Sequence, residues 1–202
     1  MQTTLLADSA PYDDELWRLA LSVVLGPCGN PNFIDFAELI EAGYLEQRDI
    51  DGVYLGSDPN NVDYGAIFGG RRQILDRAAE RFAADKPADF DDFVQANEDW
   101  LIPYCEFMTV KEECGLKAFW EWPAELRTRG EASAKVCAAH PARMLYHQMT
   151  QYFFNRQWSR LKAYANERDI LIIGDLPIYV SRDSVEMWPR PSSLRSTPPV
   201  IL

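Results

Sequence analysis

The sequence predicts an α/β protein dominated by a large helical region. Three observations carry that expectation. Apolar residues recur at helical spacing over most of residues 32–166. A continuous apolar run, Ile170-Leu171-Ile172-Ile173, follows the last of these segments and suits a buried parallel strand. Gly174 and Asp175 close the run, and a long helix feeding a buried strand is the alternation of an α/β fold. One such unit cannot build a sheet alone, and the only other candidate strand lies at residues 23–25.

Taken in order, residues 13–24 can form one helix with Leu16, Leu19, Ala20 and Val23 on one face. Gly26, Pro27, Gly29 and Pro31 then break the chain. Phe36, Leu39, Ile40 and Tyr44 have helical spacing, and a polar loop follows over 49–61. Ile74, Leu75, Ala78, Ala79 and Phe82 define a helix that ends before Pro87. Asp89 is a candidate N-cap for the next helix, because its carboxylate can accept from free backbone N–H groups. That helix carries Phe90, Phe93, Val94, Leu101, Tyr104 and Phe107, with a kink or break expected at Pro103. Trp120, Trp122 and Pro123 mark a loop. A long helix starts near Pro141, a favoured first-turn proline, and runs through Leu145, Met149, Tyr152, Phe153, Leu161 and Tyr164. The tail, 189–202, is rich in proline, lacks acidic residues and has no periodicity, so it is expected to be disordered.

The 202 residues carry a net charge of -11. A chain this acidic repels phosphate backbones and anionic membrane surfaces, which leaves neutral ligands as the compatible class. Residues 1–12 have no basic leader pattern, and no transmembrane span is legible. Cys28, Cys105, Cys114 and Cys137 form no CxxC pair, and His140 and His147 are not at metal-ligand spacing with them. Reduced thiols in a cytoplasmic protein without a metal are the expectation. No phosphate loop is present, since Gly69-Gly70 before Arg71 does not match one, and no nucleophile elbow appears.

Asp175 is the first candidate for chemistry. It ends a predicted buried strand, where α/β folds collect working residues, although an Asx turn or a cap would also use an aspartate there. Asp183, Ser184, Glu186 and Trp188 combine carboxylates with an aromatic face, as a sugar site would. A helix cap by Asp183 with Glu186 three residues on is the favoured reading of that pair. Tyr152, Phe153, Phe154 and Trp158 share one helix, and such a row is more often core than ligand platform.

Four stretches resemble the 4-alpha-glucanotransferases, or amylomaltases, of glycoside hydrolase family 77. They are Gly29-Asn30-Pro31 with Phe33-Ile34-Asp35-Phe36, and Val62-Asp63-Tyr64-Gly65-Ala66 with Arg71-Arg72. The third is Arg156-Gln157-Trp158 with Leu161-Lys162-Ala163-Tyr164. The fourth is Ile172-Ile173-Gly174-Asp175-Leu176-Pro177-Ile178-Tyr179-Val180 with Asp183-Ser184 and Trp188. They occur in the family's order. The resemblance implies a partial (β/α)8 TIM-barrel glycosidase with a large, mostly helical inserted subdomain at 29–169. Residues 1–28 would be a divergent N-terminal segment, 170–188 a barrel strand with its following loop, and 189–202 a divergent tail.

That family transfers a segment of 1,4-alpha-glucan to the 4-OH of another sugar with retention. The chemistry needs a carboxylate nucleophile and a second carboxylic acid about 5 Å away, and no cofactor. The resemblance makes Asp175 a substrate contact and sets Asp183 and Trp188 near the cleft entrance. Tyr12, in Asp8-Ser9-Ala10-Pro11-Tyr12, stands for the family's substrate-stacking tyrosine, with an extra alanine and a longer gap than the family has. Asp169 occupies a position that is usually a turn glycine. The family's catalytic carboxylates lie in strands beyond the matched region, so no catalytic residue is assigned. The expectation is a truncated or frameshifted chain that binds maltooligosaccharides at most and is inactive alone. The alternative is a non-catalytic helical module binding glucan or a protein partner.

Overall fold

The computed structural model describes residues 28–58, 60–172 and 181–189. The expected helix at 13–24, the candidate strand at 23–25, Tyr12, Asp175 and most of the tail lie outside the described residues. Among the described residues seven helices follow one another: α1 (Phe36–Glu41), α2 (Gln47–Ile50), α3 (Tyr64–Ala84), α4 (Phe90–Ala96), α5 (Glu98–Glu113), α6 (Glu131–Ala139) and α7 (Pro141–Asn166). Short 3-10 turns sit at Pro31–Phe33, Phe119–Glu121 and Ala124–Leu126. The longest helix, α7, is the spine, with α3, α4, α5 and α6 all packed against it. None of the described helices is long and apolar enough to cross a membrane.

Local signals set several of these boundaries. The Asp63 carboxylate accepts from the Ala66 N–H at 2.9 Å and starts α3. Pro141 occupies the first turn of α7, where its missing N–H costs nothing. At the other end the Ile170 N–H reaches the Ala165 carbonyl at 3.0 Å and the Asp169 N–H reaches Asn166 at 3.1 Å. This is a Schellman ending with Asp169 in the left-handed region at φ 56°, where glycine would be unstrained. At Gly70 an added Cβ would lie 2.7 Å from the Tyr54 carbonyl oxygen, so the 53–55 loop can lie against α3 only because no side chain is there.

Three expectations are corrected. The break falls at Asn97, between α4 and α5, while Pro103 lies inside α5. The carbonyl that loses its partner is that of Asp99, an exposed first-turn residue that water can serve. Asp89 occupies the N-cap position of α4 but makes no capping bond. Its Oδ1 accepts instead from the Tyr152 hydroxyl at 2.7 Å, a contact across the core. Ile170, Leu171 and Ile172 form no strand, and Leu171 is 82% exposed. A strand is stable only when its backbone groups pair with neighbours, and no strand exists among the described residues to supply them. The helix α6 has no counterpart in the sequence reading.

The core divides into connected clusters. Tyr44, Phe82, Phe90, Tyr152 and Phe153 pack largely edge-to-face, with Phe82 and Phe90 centroids 4.9 Å apart. Each such buried ring contributes about 1.5–3 kcal/mol. A second cluster joins α5 and α6 through Phe107, Trp122 and Trp188, with centroid separations of 5.4, 5.7 and 5.9 Å.

Candidate functional site

The first and third sequence stretches lie side by side. The Gln151 side chain spans the backbone of Gly29, accepting from its N–H at 2.7 Å and donating to its carbonyl at 2.9 Å. Six residues later the pattern repeats. Gln157 accepts from the Asp35 N–H at 2.7 Å and donates to the Asp35 carbonyl at 3.0 Å. Glu38 then meets Arg156 at 3.2 Å and also pairs with Arg160. Each clamp bridges 122 residues of sequence, so residues 29–38 run in register along α7. Gly29 lies on the Phe154 ring so closely that an added Cβ would come within 1.9 Å of it. The second stretch joins the same assembly. Arg71 donates to the Ile34 carbonyl and stacks over the Phe36 ring at 4.0 Å.

Behind these stretches is a cavity of about 110 Å³, bounded by Asn30, Tyr64, Arg72, Tyr104, Glu112 and His147 among others. Glu112 lies 2.7 Å from Arg72, 2.7 Å from Arg143 and 3.2 Å from His147. Burial alone would raise its pKa. His147, Arg143 and Arg72 outweigh that and hold it at about 2. A carboxylate so held is ionised at neutral pH and cannot donate a proton as a general acid. Burial pushes His147 below the usual histidine value, and nearby Arg143 and Arg72 add to this, while Glu112 acts the other way.

The pH dependence of stability follows from these directions. A histidine depressed in the folded state is protonated first in the unfolded chain, so its stabilisation is full above about pH 6.5 and lost as pH falls. The Glu112 contribution is lost only between about pH 4.5 and 2. The Tm is therefore expected to fall as pH drops below about 6.5. His147→Gln should flatten that window, and an unchanged slope in a thermal melt series would contradict the assignment.

The fourth stretch is visible in its second half. Asp183 is 4% exposed; it accepts from the buried Lys111 ammonium and, at 3.1 Å, from the Phe119 N–H. The expected helix cap is thus replaced by a buried ion pair. Trp188 is 3% exposed, its Nε1–H donates to the Leu126 carbonyl at 2.9 Å, and it packs on Phe107 and Trp122. The two residues are brought together as anchors that hold 181–189 against α5. Beside them is a recess of about 200 Å³ lined by Trp100, Arg129, Glu186 and Trp188 among others. Burial raises the Glu186 pKa above the usual carboxylate value. His140 lies between α6 and α7, 3.3 Å from Glu113. Asp175 and Tyr12 are outside the described residues.

Sequence reasoning did not find Lys111, Glu112 or Gln151. Polar residues interleaved with aromatic and aliphatic ones, as in Tyr146-His147-Gln148-Met149-Thr150-Gln151-Tyr152-Phe153, are the available signal for Gln151. The pattern marks a buried polar group without naming its partner.

Comparison with known proteins adds the following. The family model described as 4-alpha-glucanotransferase, glycoside hydrolase family 77, matches residues 21–198. The chain is similar to the 4-alpha-glucanotransferase of Streptococcus pneumoniae, with 44% identity over 166 residues, covering 81% of this chain and 33% of that one. It is 32% identical over 203 residues to the Synechocystis sp. 4-alpha-glucanotransferase, covering 91% of this chain and 39% of that one. Among solved structures, the amylomaltase from Streptococcus agalactiae in complex with acarbose matches with a TM-score of 0.75 and 41% identity, covering 83% of this chain and 34% of that chain. The chain spans about a third of the length of the curated relatives it matches.

Proposed function

The chain belongs to the 4-alpha-glucanotransferase family, and on that premise we propose that it serves glucan transfer, with 1,4-alpha-glucan or maltooligosaccharides as its ligands. The observation that carries this is the register of the family stretches: Gly29 to Glu38 is clamped onto Gln151 to Arg160, in a chain whose fold is similar to part of an amylomaltase solved with acarbose. In this reading residues 29–169 are the helical insertion of a TIM barrel, 170–188 contribute a barrel strand and loop, and 1–28 and 189–202 are divergent segments.

Asp175 contacts the sugar at the cleavage point, and Tyr12 stacks on it. Asp183 and Trp188 act from the cleft entrance by holding 181–189 in place, since their polar atoms are already bonded within the fold. The buried carboxylates of Glu38, Asp49 and Asp183 each face a cation. None is free for the nucleophile or acid/base role, and those roles fall to strands outside the matched region. In this reading the 202-residue chain alone is inactive. The transfer chemistry in this reading uses no cofactor, and the cysteine pattern of the chain suits the cytoplasm.

The test uses the purified chain and a chimera in which residues 29–188 replace the matching segment of the Streptococcus pneumoniae relative. With maltotriose, the chain alone is expected to release no glucose above a no-enzyme control, in a preparation free of host amylomaltase. The chimera is expected to disproportionate maltotriose, and Asp175→Ala in it to lose about a hundredfold in kcat/KM, the scale of removing one transition-state contact. Glucose release by the chain alone, a folded but inert chimera, or full activity in the Asp175→Ala chimera would overturn the reading.

A further inference from the structure

Four segments of the chain meet at the recess beside Trp188: Cys28, the start of α5, Arg129 and the stretch from Val185 to Trp188. Its walls are tied to one another. The Arg129 N–H donates to the Pro189 carbonyl at 2.9 Å, and the Trp188 Nε1–H to the Leu126 carbonyl at 2.9 Å. The Trp100 ring is fixed by the bond from its Nε1–H to the Asn97 Oδ1 at 3.0 Å. A site whose walls are already ordered loses little freedom when a ligand enters.

The polar groups at the recess keep bonding capacity in reserve. Glu106 takes the Arg129 Nε–H, and among the described residues the two Nη groups of that guanidinium have no hydrogen-bond partner. Asp99 stands exposed in the first turn of α5, with its carboxylate unpaired among the described residues. Glu186 has lost part of its water shell, and burial raises its pKa for that reason. The Cys28 thiol is pushed up to about 12 by burial and by the Glu186 charge, so it is a neutral, unreactive part of the wall at pH 7.

These groups select a ligand class. Two carboxylates against one guanidinium, which Glu106 already faces, leave the recess negative, and that repels phosphates and carboxylates. The carboxylates accept from hydroxyls, the Nη fork donates to them, and the Trp100 ring offers an apolar face. A few convergent polar groups around an aromatic wall is the pattern of a small-molecule site. A neutral pyranose meets all three, with hydroxyls at its rim and C–H groups on its face. The volume of about 200 Å³ lies below the roughly 300–1,000 Å³ of a drug-sized pocket, so one ring enters and the rest of a longer saccharide stays outside.

We propose that this recess is a sugar-binding site that takes one hexopyranose ring, with Trp100 stacked on its face and Asp99, Glu186 and Arg129 bonding its hydroxyls. That the ring is a unit of 1,4-alpha-glucan rests on the function proposed above; the site itself rests on the recess. In the test, the tryptophan indoles of the 202-residue chain are labelled with 15N and maltotriose is titrated in. The Trp100 indole resonance, assigned by its loss in Trp100→Phe, is expected to move saturably with a millimolar Kd. Asp99→Asn and Glu186→Gln each keep the side-chain shape and remove a charge. Each is expected to raise that Kd at least about tenfold, the scale of one lost bond to a charged acceptor. Lys135→Glu, at an exposed position on α6 outside the recess, should leave it unchanged. A Trp100 resonance that does not move, or a Kd that neither carboxylate substitution alters, would overturn the proposal. So would saturation by 1,4-diaminobutane at least as tight as by maltotriose, which would assign the recess to a cation. Binding is read without activity. An active chimera with a silent Trp100 therefore sinks this site alone, and an inert chimera with a responsive Trp100 sinks the transfer reading alone.

Discussion

Lys111→Met is expected to destabilise the chain by about 3–5 kcal/mol, the cost of leaving one member of a buried ion pair without its counter-charge. The side chains of Lys111 and Asp183 are 1% and 6% exposed, so water cannot replace the lost partner. Asp183→Asn should cost a similar amount for the converse reason, since the Lys111 ammonium is left without its counter-charge. The double variant Lys111→Met/Asp183→Asn is expected to recover most of the loss, because no charge remains buried and the asparagine oxygen can still accept from Phe119. Urea denaturation of the four proteins forms a double-mutant cycle with a coupling of at least about 2 kcal/mol. Single losses under about 1 kcal/mol, or strict additivity, would show that the pair is not a buried latch. The consequence reaches the proposed function, since this pair ties 181–189 to α5.

The two glutamine clamps offer a controlled comparison. Gln151 and Gln157 make the same pair of bonds to a backbone 122 residues away, one buried and one exposed. Gln151→Leu leaves the Gly29 N–H and carbonyl without partners inside the protein, at about 1–3 kcal/mol for each unsatisfied group, and so about 2–6 kcal/mol in all. Gln157→Leu exposes the Asp35 groups to water, which replaces the lost bonds, so it should cost under about 1 kcal/mol. Equal losses in the two variants would refute burial as the deciding term. Amide hydrogen exchange provides a second measure: Gly29 should lose protection in Gln151→Leu, while Asp35 should change little in Gln157→Leu.

How much of this could be read beforehand depends on the range of each interaction. The helix start at Pro141 was legible because it depends on groups within about four residues, whereas the Asp63 cap was not read from the sequence. Tyr152 and Phe153 were legible as core from spacing alone. Asp89 and Asp183 carried correct local cap signals, yet their carboxylates were taken by Tyr152 and Lys111, which lie 63 and 72 residues away. Pro103 shows the converse. Its helix-breaking tendency was read correctly as a local cost, but that cost fell on an exposed carbonyl that water can satisfy, and the flanking apolar residues hold the helix together.

By itself the sequence determined the helical make-up of residues 29–169 and, through the order of its four characteristic stretches, the family. Both are written in residue types and short spacings. Tertiary structure alone decided which polar groups are buried and with whom: Gln151 with Gly29, Glu112 with three cationic or titratable neighbours, Asp183 with Lys111. It also decided that the second half of α7 faces outward with its rings exposed. The physical reason is that burial is set by what packs over a side chain, often from a hundred residues away, and no local pattern carries that information.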